Sequence, residues 1–305
     1  MLYTADNAKL KINNEEILAS NAAISLGANL SPNYLMTQRH TQSQVAGNGI
    51  GGTLTFSYYL TGKDYFKTFI TGQGERPDRG ASELTTQKMS GNFGGLNFES
   101  GFLTSYSVNF NQNSPAIANA TVNFFDSVRG EFVATNAQAP EGTEVLNISK
   151  AVIESDFAAG VAEDGTSAPF QVDNFIAGTY NYNSEVQPVY LMDQTIPSDV
   201  SFGTKVVNMN FEIDNPTGYL PISGSDAKIS LNLKNTASQT VENFTCSGVI
   251  NTRNLSSAAG DYIKQTINVT QNNLSAGDTF IAAIIDNLGS SGCVGIGTTG
   301  SEGNI

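Results

Sequence analysis

Only one imidazole is present, His40 in Gln38-Arg39-His40-Thr41-Gln42, with polar neighbours on both sides. A Ser-His-Asp triad needs a histidine to take the hydroxyl proton, and no G-x-S-x-G elbow exists in the chain. His40 therefore reads as a solvated loop residue rather than a base. The two cysteines, Cys246 and Cys293, can pair only once. With a single histidine they do not supply the donors for a Cys/His zinc site, haem attachment or iron–sulfur ligation within one chain. Paired carboxylates for glycoside cleavage need an apolar cleft, whereas the acids here cluster in polar strings such as Glu163-Asp164-Gly165, which reads as a turn. Gly47-Asn48-Gly49-Ile50-Gly51-Gly52 has the glycines of a phosphate-cradling loop, but it precedes a strand and lacks the Lys-Ser/Thr ending. No Asp-x-Asp-x-Asp-Gly calcium loop is present. Asn-x-Ser/Thr triplets at Asn119, Asn147, Asn243, Asn254, Asn268 and Asn273 carry little weight among 32 asparagines. The expectation is a protein with no catalytic residues, no cofactor and no metal.

Composition points the same way. A chain of 305 residues has room for one large domain or two of about 150 each. Charged residues make up 14%, against the roughly 25% usual in globular domains. The formal net charge is −13, so a positive groove gripping phosphates is not expected and average contact with nucleic acid is repulsive. No stretch approaches 18 apolar residues, and the first 23 residues carry charges throughout, which predicts neither a membrane span nor a secretory signal. Synthesis in a cytosol is the expectation.

The elements that must position any function are short alternations of apolar and polar residues bounded by Gly, Asn, Pro or Ser, the signature of antiparallel β. Leu54, Phe56, Tyr58 and Leu60 fall on one strand face, as do Thr104, Tyr106, Val108 and Phe110, and Ala118, Ala120, Val122 and Phe124. Asn111-Gln112-Asn113-Ser114-Pro115 joins the last two stripes as a hairpin turn. Strands are predicted at 53–60, 103–110, 116–125, 206–213 and 263–269. Helical periodicity is scarce: Asp64 to Ile70 predicts two turns, and Lys150 to Ala159 reads equally as helix or strand.

Self-similarity is the stronger signal. Tyr34-Leu35-Met36 and the strand at Leu54 recur as Tyr190-Leu191-Met192 and the strand at Met209, at offsets of 156 and 155. Leu103-Thr104-Ser105 and Val122-Asn123-Phe124 align with Phe244-Thr245-Cys246 and Ile267-Asn268-Val269, at 141 and 145. The fold class expected is all-β with minor α: two tandem antiparallel β-sandwich or half-barrel domains, over 1–136 and 137–287, followed by a Gly/Ser-rich arm at 288–305. The shrinking offset implies about fifteen extra residues in the first copy, as a long inserted loop at 61–92. That loop holds Lys63, Lys67, Arg76, Arg79 and Lys88 beside four acids in an otherwise acidic chain. It reads either as a contact arm, with Lys63, Arg76 and Arg79 meeting carboxylates of a neighbouring subunit, or as a solvated loop.

The string from Gly101 to Phe110, the short Asn/Ser/Pro turn and the return from Ala116 to Phe125 resemble the terminal hairpin of tail tube and baseplate hub proteins of tailed bacteriophages. The resemblance extends over most of residues 15 to 128 and is thinner in the second half, where Cys246-Ser247-Gly248 replaces Ser105-Tyr106-Ser107. It implies a non-enzymatic virion subunit, assembled in the host cytoplasm, whose partners are copies of itself in stacked trimeric or hexameric rings, neighbouring tail proteins, and DNA passing without tight binding through an acidic channel lined by acidic and hydroxylic side chains. A chain with two copies would close as a trimer presenting six units. Phe56 and Phe211 are then candidate subunit-contact residues, and an aspartate at either is expected to abolish ring formation. The alternatives are an adhesin, decoration or fibre-like binding module, marked by exposed aromatics at Tyr58-Tyr59 or Tyr180-Asn181-Tyr182, and a carbohydrate-acting enzyme on a β scaffold.

Overall fold

The computed structural model describes residues 8–33, 43–62, 64–72, 88–125, 128–133, 143–155, 170–172, 174–192, 197–214, 226–257 and 263–271. The fold is nearly all β. In chain order the strands are β1 (Ala8–Ile12), β2 (Glu15–Asn33), β3 (Ser43–Tyr59), β4 (Met89–Phe93), β5 (Leu96–Asn111), β6 (Ser114–Phe124), β7 (Asn147–Ser155), β8 (Phe170–Val172), β9 (Phe175–Val189), β10 (Asp199–Asp214), β11 (Asp226–Lys234), β12 (Thr240–Ser256) and β13 (Lys264–Gln271). One helix, α1 (Tyr65–Gly72), lies between β3 and β4. All five predicted strands fall on observed ones. The two helical turns expected from Asp64 are α1, which begins at Tyr65, and of the ambiguous segment residues 150–155 belong to β7 while 156–159 lie outside the described residues.

All thirteen strands join one antiparallel sheet in the order β4-β1-β2-β3-β6-β5-β9-β10-β13-β12-β11-β7-β8. A further pairing of β4 with β5 closes the first six strands into a barrel. The alternation read from the sequence is what the barrel packs. Leu54, Phe56, Tyr58, Tyr106, Val108, Phe110, Ala118, Ala120, Val122 and Phe124 are all buried in the core, while the residues between them face the other side of the sheet. Helix α1 closes the core from beneath. Its Phe66 is fully buried with ring centroids 5.6 Å from Phe56, 6.2 Å from Tyr58 and 6.0 Å from Tyr106.

The strand order β2-β3-β6-β5-β4 is followed again by β9-β10-β13-β12-β11. Two bulges fall at matching places. Ser20 is the extra residue where β2 meets β3, and Ile176 where β9 meets β10. Thr104 is extra between β5 and β6, and Asn251 between β12 and β13. A glycine stands three residues ahead of each of the latter pair: Gly101, tight against Phe98 and Val122, and Gly248, where a Cβ would collide with the Thr270 carbonyl oxygen.

These bulges set the correspondence, because a bulge has one position whereas a period-two stripe matches itself at every even shift. The pairing of Leu103 with Val122 matches that of Ile250 with Val269. The counterparts of Leu103 and Val122 are thus Ile250 and Val269, both at offset 147, rather than Phe244 and Ile267. The first run then carries eight more residues from β3 to β5 than the second does from β10 to β12, not about fifteen. Both hairpin connections, 34–42 and 190–198, are nine residues long and carry the repeated Tyr-Leu-Met string. The second run differs at its far edge, where β7 and β8 extend the sheet beyond β11. The expected division at 136/137 and the arm at 288–305 lie outside the described residues.

Because Phe56 and Phe211 are buried within one chain, Phe56→Asp should act on folding before assembly. A charge without a partner at that depth costs several kcal/mol, about 3–5 by analogy with broken buried pairs. The expected result is loss of near-ultraviolet circular dichroism and an earlier urea midpoint at monomer concentrations. A variant with wild-type unfolding would contradict this packing.

Candidate functional site

The joint between the two strand runs holds a buried cluster of ionisable and phenolic side chains. Along its length β5 serves two partners on one edge. Its first residues pair with β4, Gly101 with Met89 and Leu96 with Phe93, and its last seven pair with β9, from Ser105 with Asn183 to Asn111 with Ala177. Core residues from both sides interlock across this seam. Tyr106 lies edge-on to Tyr180, and Phe244 of β12 contacts both Phe110 and Tyr180 at 5.3 Å between centroids.

A buried polar cluster fastens the helix to this joint. Asp64 is the N-cap of α1, its Oδ2 accepting from the Lys67 amide at 2.8 Å. The hydroxyls of Tyr58 and Tyr106 donate to its two carboxylate oxygens at 2.6 and 2.7 Å. In a capping box the third helical residue is Glu or Gln and reaches back to the N-cap amide. Here that residue is Lys67, and the return bond comes from Glu242 on β12, whose Oε2 accepts from the Asp64 amide at 2.9 Å. Lys67 Nζ in turn pairs with Glu242 Oε1 at 2.6 Å, donates to the Asn243 carbonyl, and lies over the Phe244 ring. The helix of the first run is thus capped by a strand of the second.

Burial pushes the Asp64 carboxyl up, against the pull of Tyr58, Tyr106 and the Lys67 amide, and the neighbouring Glu242 charge adds to the rise. Glu242 is held below the ordinary carboxylate value: its desolvation is outweighed by Lys67 and by the backbone amides of Asp64 and Asn243. Burial drives the Tyr58 and Tyr106 phenols well up, and pushes the Cys246 thiol up to about 12. Cys246 is buried and unoxidised, donating to the Val269 carbonyl, which makes it an inert core residue. A cavity of about 390 Å³ opens beside the cluster, lined by Glu15, Glu16, Tyr58, Tyr59, Asp64 and Tyr65 among others. No group of His, Cys, Asp and Glu among the described residues is placed to hold a metal ion.

The opposite face of the sheet is a ladder of hydroxyls and amides. One register row runs Asn21, Ser57, Asn119, Ser107, Asn181, Asn208, Thr270 across seven successive strands, and another runs Asn109, Thr179, Asn210, Asn268, Thr252. Neighbours in these rows bond to one another: Ser57 to Asn119 at 2.7 Å, and Asn181 to Asn208 at 3.1 Å. None of these twelve residues is charged. The rows cross the joint without interruption.

Of the residues singled out from sequence, Phe56 and Phe211 lie in the core at 3% and 1% exposure. Lys63, Arg76 and Arg79, like His40 and Cys293, lie outside the described residues. The sequence reads Asp64 as a helix start and Lys67 as a loop charge, and carries no signal at Glu242. A capping signal was readable at Asp64, but its reciprocal partner is 178 residues away, beyond any local motif. The chain matches no protein-family profile and no curated protein.

The charges at the joint carry a pH signature. A carboxylate with a lowered folded pKa contributes stability above its unfolded value, about 4.3, and loses it as pH falls through the folded one. Asp64 works with the opposite sign. Glu242→Gln should therefore lower unfolding free energy by about 2 kcal/mol near neutrality, with the gap to wild type closing below the ordinary carboxylate range. Parallel urea titrations from pH 7 to 2.5 measure this; a gap independent of pH would show that the Glu242 charge does not hold the joint.

Proposed function

We propose that this chain is a structural subunit of a bacteriophage tail tube or hub ring, assembling with copies of itself around a channel through which DNA passes. The carrying observation is the β5–β9 joint, by which a second run of strands in the same order continues the sheet of the first. Two tandem tube-type domains in one chain explain both the shared order and the shared bulges. A trimer would then present six such units.

The sheet face not used for packing is the one available to line a channel. Its two central rows of Asn, Ser and Thr offer phosphates no lysine or arginine; the lysines of the same face, Lys228, Lys234 and Lys264, lie outside those rows, Lys264 beside Glu212, and the chain as a whole carries −13. Nucleic-acid affinity comes largely from cationic contacts that release counterions, so such a wall lets DNA slide. In the virion the subunit would meet neighbouring tail proteins at the ring faces. There the hairpin of β9 and β10 exposes Val189, Leu191 and Met192, the last at 91%. A binding module would instead display its aromatics, yet Tyr58, Tyr180 and Tyr182 are 8%, 3% and 1% exposed; Tyr59 alone of the four is open to solvent.

Negative-stain microscopy with native mass measurement of the purified chain tests this reading. Rings or tubes, three chains to a ring, are expected. A monomer persisting to high concentration would overturn it in favour of the binding module.

A further inference from the structure

Two strand edges that no described strand pairs are the counterparts of the two edges that already pair inside the chain. The bulges at Ser20 and Ile176 place residues 21–27 of β2 on residues 177–183 of β9. Those at Thr104 and Asn251 place residues 252–257, at the end of β12 and just beyond, on residues 105–110 of β5. In the first case the inner copies, β9 and β5, bond to each other. The outer copies have no such partner: β2 pairs with β1 only up to Ala19, β12 pairs with β11 only up to Val249, and no described strand lies alongside either beyond those points.

The side chains on these edges match a seam that has been pulled open. Leu26 is 56% exposed where its counterpart Tyr182 is 1%, and Leu255 is 58% exposed where Val108 is 0%. Ile24, half-buried against the core, stands in the place of Tyr180 at 3%. Unpaired edges usually carry lysine, proline or inward charges that discourage sheet-to-sheet association. Residues 20–27, Ser-Asn-Ala-Ala-Ile-Ser-Leu-Gly, carry none of these, and Arg253 is the one charge in residues 250–256.

We propose that the β12 edge of one molecule pairs with the β2 edge of a second copy of this chain, antiparallel and in the register of the internal joint. That register sets Thr252 opposite Gly27, Arg253 opposite Leu26, and Leu255 opposite Ile24. The contact is head-to-tail, so every molecule keeps one edge of each kind until a ring closes. This inference rests on the ring-subunit reading above and adds which edges meet and in what alignment.

The alignment has a signature in charge. Leu26→Lys faces Arg253 across the seam and should shift the protein to monomers with unchanged circular dichroism, since Leu26 is outside the core. Leu26→Glu faces the same arginine with opposite sign and should keep the oligomer. Directly opposed residues are also close enough for a disulfide, whereas diagonal ones are not. In a Cys293→Ser background, Ile24→Cys with Leu255→Cys should give a covalent ladder on oxidation, and Leu26→Cys with Leu255→Cys should not. Wild-type rings that survive Leu26→Lys and give no 24–255 ladder would overturn the edge assignment and leave the ring reading standing. Ladders from the shifted pair alone would overturn the register. A wild type that stays monomeric would overturn the ring reading and this inference with it.

Discussion

Every strand in a sheet must find partners for its backbone amides and carbonyls on both edges or leave them to water, and β5 is where that requirement organises the molecule. Its sixteen residues are longer than any one neighbour on its outer edge. The first part is used by β4 and closes the barrel; the last part is used by β9 and begins the second run of strands. Had β4 continued alongside β5 to its end, the barrel would have been sealed and nothing could be added. The division of one edge between two partners makes a closed unit and a continuing sheet compatible.

The same residues set the chemistry of the two faces. Tyr106, Val108 and Phe110 point into the core, where aromatic rings of both runs interlock, and Ser107 and Asn109 point into the amide and hydroxyl rows. Charge is used sparingly and locally. Lys67 and Glu242 meet at the joint, with side chains 23% and 9% exposed, and backbone groups add three more bonds to the pair: the amides of Asp64 and Asn243 donate to the carboxylate, and the ammonium donates to the Asn243 carbonyl. Those added bonds are what makes a largely desolvated ion pair tolerable. Asp64, with two phenols and an amide donating to it, is satisfied in the same manner.

Strand positions were legible because alternation is a local property: the apolar stripes read from the sequence are buried rows except at Thr104, which the bulge takes out of the row of Tyr106, Val108 and Phe110. The helix start at Asp64 was legible for the same reason. The alignment of the two runs was only partly so. Phe244 for Leu103 is an error of six residues and Ile267 for Val122 an error of two, both even, and a period-two pattern contains no information that forbids an even shift. The residues that do fix the alignment, Ser20, Thr104, Ile176 and Asn251, are ordinary in type and carry no mark of a bulge. The joint was likewise hidden, since its contacts connect residues 64 and 242 or 106 and 182, and no periodicity reaches that far. Composition accounts for the Asn, Ser and Thr of the two central rows, but not for where charge sits on that face, since Lys228, Lys234, Lys264 and Glu212 share it outside those rows.

The borrowed cap on α1 ties the helix to the timetable of translation. Asp64 leaves the ribosome 178 residues before Glu242. At bacterial and eukaryotic elongation speeds that interval is roughly ten to thirty-five seconds, far longer than the microseconds in which a helix forms and melts. Throughout it, the nascent first half has neither the carboxylate that receives the Asp64 amide nor the counterion of Lys67. The helix is seated for good only once the second half has been made.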